Sequence, residues 1–495
     1  MDFAFSSIQK HRMERSLPRL ADLSENTVFL MFISLTVASF LGTMLTEQYA
    51  LALLPFAVVF IYVIVSAYRW IYLLFFFLLP FSVEVYLTGG FGTDLPSEPL
   101  MLILCGVFFL LLVQKKLSVT KKIFTHPISA AVLLHLVWIY FISIFSSDQI
   151  VSFKYALAKT WYIIPFYFLS YFTFDVKKEN SIRHVILCLW LGLCIALTYV
   201  MLRHFATGFS FKDINEAVRP IFRNHVNYAS MLVVFLPYLA YLMSSSKHKL
   251  LYTFSLLYLM VAIYFSYTRA AQLSIFIAAL CYFVIRFRLS LYALLIASFC
   301  MVSLVLFLVH ENKYLDYAPN FETTVAHYKF DNLIEATYKM EDISTMERVH
   351  RWVAGFTMVG EKPLIGFGPG CFYPFYKNHT VSSFKTYVSD NPEKSGIHNN
   401  FLMVFVEQGV IGFIIMLILC FLPIVIGEQT YHLLQINWQK NLVMAATVSI
   451  IVTVAVLLIN DLLEADKVGP IFFLSLSIIA ILNASAKKSL KNPSK

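Results

Sequence analysis

SGIHNNFLMVFVEQGVIGFIIMLILCF, residues 395–421, is the stretch on which the fold turns. From Phe401 to Phe421 its only charged residue is Glu407. A helix of about 20 predominantly apolar residues crosses the hydrocarbon core of a bilayer. The stretch therefore reads as a membrane span with His398 at its mouth and a carboxylate inside. An ionisable group within a span is costly, so Glu407 needs a partner or a task. What His398 can do depends on which side of the membrane it faces and on what faces that way with it.

About fourteen apolar runs of this kind follow one another along the chain, near 27–46, 49–67, 70–87, 99–113, 127–145, 156–174, 184–202, 225–243, 250–266, 270–286, 290–309, 399–426, 441–459 and 469–485. Charged residues make up 14% of the sequence, against about 25% in soluble domains, which excludes an ordinary soluble fold. The expected architecture is all-α: a polytopic transmembrane bundle of about 12–14 spans with one large, partly helical loop outside the membrane. In order, the chain reads as a basic tail (1–26), about eleven spans (27–309), the loop (310–398), about three further spans (399–485) and a second tail (486–495). The first tail lacks the layout of a cleavable signal peptide.

Charge sets the orientation. With the N-terminus cytoplasmic, QKKLSVTKK (114–122), DVKKENSIRH (175–184), SSSKHK (244–249), RFR (286–288) and the C-terminal tail all face inward, and all are rich in Lys and Arg. The short outer connections TGGFGTDLPSEP (88–99) and NDLLEAD (460–466) contain neither. That is the positive-inside pattern, and anchoring to an anionic leaflet explains the net charge of +9 better than nucleic acid does. Six of the seven cysteines fall in apolar runs, so neither a disulfide framework nor a CxxC metal site is indicated. No internal repeat of the kind common in transporters is evident.

Two outer segments depart from the neutral pattern. One is RHFATGFSFKDINEAVRPIFRNH (203–225); the other is the loop of 310–398. Within that loop, Ser344 and Glu347 form a capping-box pattern. The residues that follow predict a helix ending near Gly360, with Met346, Val349, Val353 and Phe356 on its apolar face. GFGPG (366–370) then turns the chain ahead of the aromatic residues Phe372, Tyr373, Phe375 and Tyr376, which read chiefly as a loop core. Arg348 and Arg351 fall on the far side of the predicted helix, solvated or reaching down towards the membrane.

On the outer face this layout gathers His398, at the start of its span; Arg219 and Arg223, at the start of the span near 225, where Pro220 suits a first helical position; and Arg269, in the tight turn before 270–286. Guanidinium groups bind phosphate oxygens in a bidentate fork. A neutral histidine can accept a proton from a hydroxyl. Together they suit a lipid-linked pyrophosphate, with the arginines stabilising a departing diphosphate. No paired carboxylates and no HExxH accompany them, so the expected chemistry needs no metal and no cofactor. Each residue alone has a plainer reading, as a snorkelling arginine or a helix-start histidine. Glu407 lies about 13 Å below His398 by helical rise, too far for direct contact. It reads chiefly as a partner for a neighbouring helix.

HNNFLMVFVEQGVIGF, SYTRAAQLSIFIAAL and RWVAGFTMVGEKPLIGFGPGCF resemble the signature segments of the O-antigen ligase / O-antigen polymerase superfamily, over about residues 215–425. The resemblance implies a GT-C-like bacterial glycosyltransferase of the inner membrane. Such an enzyme takes glycan from undecaprenyl pyrophosphate on the periplasmic side and passes it to lipid A-core, or joins repeat units, or places glycan on protein. It implies His398 as the base and Arg269 as an essential arginine, with Arg219 and Arg223 as further donor contacts; Arg348, from its place on the loop helix, is a candidate donor contact beside them. The expected function is ligation to lipid A-core by a metal-independent, inverting reaction, with polymerisation the nearest alternative. A lipid-linked glycan flippase would instead carry its charges near the midplane.

Overall fold

The computed structural model describes residues 25–46, 68–86, 92–117, 121–310, 343–380 and 396–491, with isolated positions between 54 and 67. The run expected at 49–67, both terminal tails, and the loop stretches 311–342 and 381–395 lie outside the described residues.

Helix α1 (Glu25–Thr46) belongs to a first unit, Met1–Tyr68. The second unit holds the rest. Its main helices are α2 (Tyr68–Leu78), α3 (Ser97–Val113), α4 (Pro127–Ile144), α5 (Gln149–Ile163), α6 (Glu179–Ala206), α7 (His225–Ser245), α8 (Lys249–Phe265), α9 (Arg269–Arg286), α10 (Ser290–Val309), α11 (Ile343–Glu361), α12 (Phe372–Tyr376), α13 (Asn400–Leu433), α14 (Asn437–Leu457) and α15 (Gly469–Lys491). Among the described residues seven of these, α4, α6, α7, α9, α13, α14 and α15, are long and apolar enough to cross a membrane. Shorter apolar helices accompany them. The chain is a polytopic, mostly helical membrane protein.

One departure from the all-α expectation stands between α2 and α3. Val83–Tyr86 (β1) and Gly92–Leu95 (β2) pair antiparallel, Val83 opposite Leu95. The alternating VEVY sequence favours strand over helix there, so the run expected to reach residue 87 leaves its helical form at Phe81.

Within the second unit α14 and α15 lie at the centre: 78% and 89% of their apolar windows are buried, against 22% for α9. Lipid offers no hydrophobic drive between helices, so small residues and buried hydroxyls hold them together. Ser449 donates to the Val234 carbonyl at 2.8 Å, and Tyr238 and Ser475 share a hydrogen bond of 2.6 Å. Gly427 lets α13 meet Thr447 of α14, whose Oγ1 would stand 2.1 Å from an added Cβ.

The feature that positions the loop is a break in α13. Asn399 caps its start, accepting from the Leu402 N–H at 3.0 Å. Ten residues on, Gly409 departs from helical geometry with φ 68° and ψ −173°. A break frees backbone groups that must be paired inside protein at membrane depth. The segment after α11 supplies most of the partners. Phe367 N–H donates to the Val406 carbonyl at 3.0 Å, Gly368 N–H to that of Glu407 at 2.8 Å, and Val410 N–H to that of Pro363 at 2.9 Å. The Trp138 indole takes the Gln408 carbonyl at 3.3 Å. The carboxylate of Glu407 turns the same way, accepting from the Phe372 N–H at 3.1 Å. Its partner is thus the loop backbone at the start of α12, not a neighbouring helix.

Below this seam Ala354, Met358, Phe367, Cys371, Phe372, Tyr376, Ile397, Leu402 and Val406 form one apolar core. The helix predicted from the capping box is α11, at the expected place but with a different face inward. Phe356 is 55% exposed, and His350, Arg351, Ala354 and Met358 are buried. Close packing explains the rotation. Gly355 lies so near Ile397 that an added Cβ would stand 2.3 Å from its Cδ1, a gap the bulkier residues could not share.

Gly409→Ala is expected to cost on the order of 1–3 kcal/mol for the positive φ alone, and more because the new Cβ would stand 2.1 Å from the Leu364 carbonyl oxygen. Gly106→Ala, which meets nothing within 4 Å, serves as control. Melting curves in detergent should show a clear drop for the first and no drop for the second.

Candidate active site

Residues 396–399 connect the loop to α13. Gly396 lies against Asp461, whose Oδ2 would stand 1.7 Å from an added Cβ, so no larger residue fits without moving the carboxylate. His398 has φ 57°, a left-handed conformation that few non-glycine residues adopt. Its backbone N–H donates to Asp461. Its ring Nδ1 stands 4.0 Å from Asp461 Oδ1, next to that carboxylate though beyond a hydrogen bond. A strained residue fixed from both sides is the pattern found where a side chain must be aimed.

Two arginines of α11 face this turn. Of the two readings for Arg351, solvated or reaching down, the first does not hold: it is 3% exposed, and its Nη1 donates to the Gly396 carbonyl at 3.1 Å. The rotation of α11 that buries Ala354 carries Arg351 inward with it. Arg348 is half-buried, and its charge is felt at both His398 and His225. Burial first, then Arg351 and Arg348, push the His398 imidazole down to about 3. The ring is therefore neutral at physiological pH. Asp461 moves the other way, pushed up to about 7 by burial and by repulsion from Glu464, against the pull of Arg351, the His398 N–H and Arg348.

Asp461 and Glu464 both come from the connection between α14 and α15. Glu464 Oε1 accepts from Lys159 Nζ at 2.6 Å and from the Tyr155 hydroxyl at 2.7 Å, both on α5. Asn400 Nδ2 reaches Glu464 Oε2 at 3.4 Å. Burial, the largest single influence, would raise the Glu464 carboxyl, but the Lys159 charge and the hydrogen bonds from Lys159 and Tyr155 together hold it below its usual range. The Lys159 side chain is only 2% exposed, so this ion pair ties α5 to the 458–468 segment where breaking it would be costly.

The remaining predicted residues fall around the same end of the bundle. Arg269 is the first residue of α9, half-buried, and Thr268 beside it reaches the His225 carbonyl at 3.4 Å. Arg348, His225 and the start of α9 are thereby neighbours. Arg219 and Arg223 lie in the turn ahead of α7, not inside the helix as Pro220 suggested; Asn224 caps α7 by accepting from the Asn227 N–H at 2.9 Å. Arg219 is exposed, and its carbonyl accepts from Arg203. Arg223, 58% exposed at the side chain, pairs with Glu84 at 2.9 Å and stands 3.9 Å from Asp94 on the hairpin. Lys467 donates to the Ser82 carbonyl at 2.6 Å, joining that hairpin to the 458–468 segment. The structure thus brings His398 and Arg348 together with Arg269 close by, and sets Arg219 and Arg223 on the flank. Among the described residues no group of three or more His, Cys, Asp or Glu side chains is placed to share a metal ion.

Sequence reasoning missed Asp461, Glu464 and Lys159. Its signal was present in NDLLEADK: three carboxylates crowd a short connection at the level of His398, but that segment served only to mark orientation.

The fold and this end of the bundle define a polytopic membrane protein with a folded loop closing over a histidine, arginines and buried carboxylates. Residues 254–417 match the family model described as O-antigen ligase. The match covers about a third of the chain and includes Arg269, Arg348 and His398. It stops short of Arg219, Arg223, Asp461 and Glu464. No curated protein matches the chain.

His398 is expected to titrate near pH 3 rather than at 6.5 when its ring is followed by NMR in detergent-solubilised protein. Arg348→Gln removes one of the positive charges that depress it and should move the titration upward. A midpoint already at the ordinary value would contradict the burial and the arginine contacts together.

Proposed function

We propose that this protein is a metal-independent, inverting glycosyltransferase of the bacterial inner membrane, with its site facing the periplasm. It moves glycan from undecaprenyl pyrophosphate to a hydroxyl of lipid A-core. The observation that carries the reading is the placement of His398, strained and neutral, between the α11 arginines and Asp461. The family match over 254–417 supports a lipid-linked glycan as the substrate class. The positive-inside pattern supports the orientation.

In this reading Arg348 and Arg269 hold the diphosphate, while Arg219 and Arg223 guide its approach from the flank. The lipid tail lies between helices. The acceptor hydroxyl gives its proton to His398, its oxygen bonds to the anomeric carbon from the face opposite the diphosphate, and the bond from that carbon to the phosphate oxygen breaks. Undecaprenyl pyrophosphate departs with the electron pair, its growing charge stabilised by the guanidinium groups. The loop excludes water, which would otherwise hydrolyse the donor.

The low basicity of His398 fits this sequence of events. Two of its three causes are the charges of Arg351 and Arg348, and an anionic diphosphate beside them offsets both. Burial, the largest cause, remains, so donor binding raises the basicity of His398 by the share the arginines had removed. Asp461 is a positioning residue: its carboxylate holds the His398 backbone and stabilises the imidazolium formed by proton transfer.

The assay is transfer from undecaprenyl pyrophosphate-linked glycan to lipid A-core by purified protein in the presence of EDTA. Wild type should label the acceptor, and His398→Ala should lower the rate by about 10²–10⁴-fold, the usual worth of a general base. Elongated donor without labelled acceptor would make the protein a polymerase. No transfer by folded protein would overturn the reading. Arg269→Lys keeps the charge but loses the fork and should weaken transfer by about tenfold or more. The kcat/KM should fall as pH drops through about 7, where Asp461 takes up its proton. Asp461→Asn should be slow at every pH and lack that limb, a change that a purely structural role would not produce.

A further inference from the structure

Beside the His398 turn a cavity of about 230 Å³ lies between the loop, α5 and the 458–468 segment. Tyr155, Phe372, Tyr373, Glu407, Asp461 and Glu464 line it. Among the described residues that line it there is no Lys, Arg or His. Asp461 Oδ1 is buried there without a hydrogen-bond partner in the structure, a state that an incoming donor would relieve. Tyr373 belongs to an aromatic group expected to form a plain loop core. Phe372 and Tyr376 do so, whereas Tyr373 is only partly buried and faces this space.

The site therefore has two electrical halves. Arg348 and Arg351 on α11, with Arg269 nearby, make one half basic. The cavity on the other side of Asp461 offers acceptor oxygens and aromatic rings. Carboxylates and aromatic rings together suit a ligand rich in hydroxyl groups, which donates hydrogen bonds to the oxygens and lays its C–H face on the rings. Lys159 balances the charge of Glu464, so it is Asp461, ionised above about pH 7, that repels a phosphate or carboxylate placed within about 4–6 Å of it.

We propose that this cavity is the subsite for the acceptor's reacting sugar, and that it selects an uncharged, unphosphorylated sugar. Tyr373 serves as its platform and Asp461 and Glu464 as its hydroxyl acceptors. The inference rests on the glycosyltransferase reading above and adds to it the chemical class of the acceptor's terminal residue. It also gives the two acids of the 458–468 segment a shared task. Asp461 spans the boundary between the halves, so a sugar hydroxyl bound to it lies next to the His398 ring. The Lys159 and Tyr155 contacts fix Glu464 through Oε1, and Oε2, which Asn400 reaches at 3.4 Å, keeps a second lone pair for a sugar hydroxyl. Charge sorting then keeps the two substrates apart: the diphosphate is excluded from the acidic half and the acceptor sugar is not drawn to the arginines.

The test uses two synthetic glycolipid acceptors that differ only in the terminal sugar, glucose in one and glucuronic acid in the other. Each is offered to full-length wild-type protein with the same undecaprenyl pyrophosphate-linked donor. The neutral acceptor should be preferred by at least about tenfold in kcat/KM. Tyr373→Leu should raise the KM for the neutral acceptor by about tenfold, with kcat and the donor KM changed less than about twofold. Equal use of the two acceptors, or preference for the acid, would overturn the charge assignment. An unchanged acceptor KM in Tyr373→Leu, or a raised donor KM instead, would overturn the placement of the subsite. Elongated donor with neither acceptor labelled would make the protein a polymerase and overturn this inference alone, whereas no transfer of any kind by folded protein would sink the glycosyltransferase reading and this inference with it.

Discussion

The candidate site depends on the seam between the broken turn of α13 and the backbone of residues 363–371. A helix break inside a membrane protein leaves carbonyls and N–H groups that cannot turn to water, so it persists only where other protein groups pair them. Here Phe367, Gly368 and Pro363 do most of that pairing, and the Glu407 carboxylate adds a fourth tie at Phe372. Gly409 permits the break, and Gly366 lets the loop lie flush: an added Cβ there would stand 2.5 Å from the Glu407 carbonyl carbon. The seam fixes both sides of the His398 turn at once. It anchors the loop that carries α11 and its arginines, and it belongs to the helix that begins at Asn399.

On this frame the electrostatics divide. Burial first, then the arginines at His398 and Glu464 at Asp461, push the two groups in opposite directions, the imidazole down towards neutrality and the carboxyl up towards protonation. Such divergence between neighbouring titratable groups is a mark of acid–base sites, although structural ion-pair networks also produce it. The buried Lys159–Glu464 pair belongs to the second kind. It fastens α5 to the α14–α15 connection and so holds Asp461 where Gly396 leaves room for it.

Much of this was legible in the sequence. The spans followed from hydropathy because a bilayer demands helices of a given length. The helix of the loop followed from its capping pattern. His398 followed from a histidine at the mouth of an apolar run. What could not be read were features set by tertiary packing. The inward face of α11 was misjudged because apolar spacing favoured Phe356, whereas close packing of Gly355 on Ile397 decided the matter. Arg351 could not be decided between solvent and the turn for the same reason. Arg219 and Arg223 were moved out of α7 because Asn224, not Pro220, marks its start. Asp461 and Glu464 were invisible as a pair with His398 because more than sixty residues and two helices separate them, and only the return of α14 brings them together.

In the proposed reaction the donor diphosphate lies on the arginine side of His398. An experimental structure of the protein bound to undecaprenyl pyrophosphate would test this placement. Phosphate oxygens are expected within hydrogen-bond reach, about 3 Å, of Arg348 or Arg269, with the His398 ring facing the glycosidic position. A diphosphate seated in the cavity with Asp461 and Glu464, or held only by Arg219 and Arg223 beside the hairpin, would contradict it.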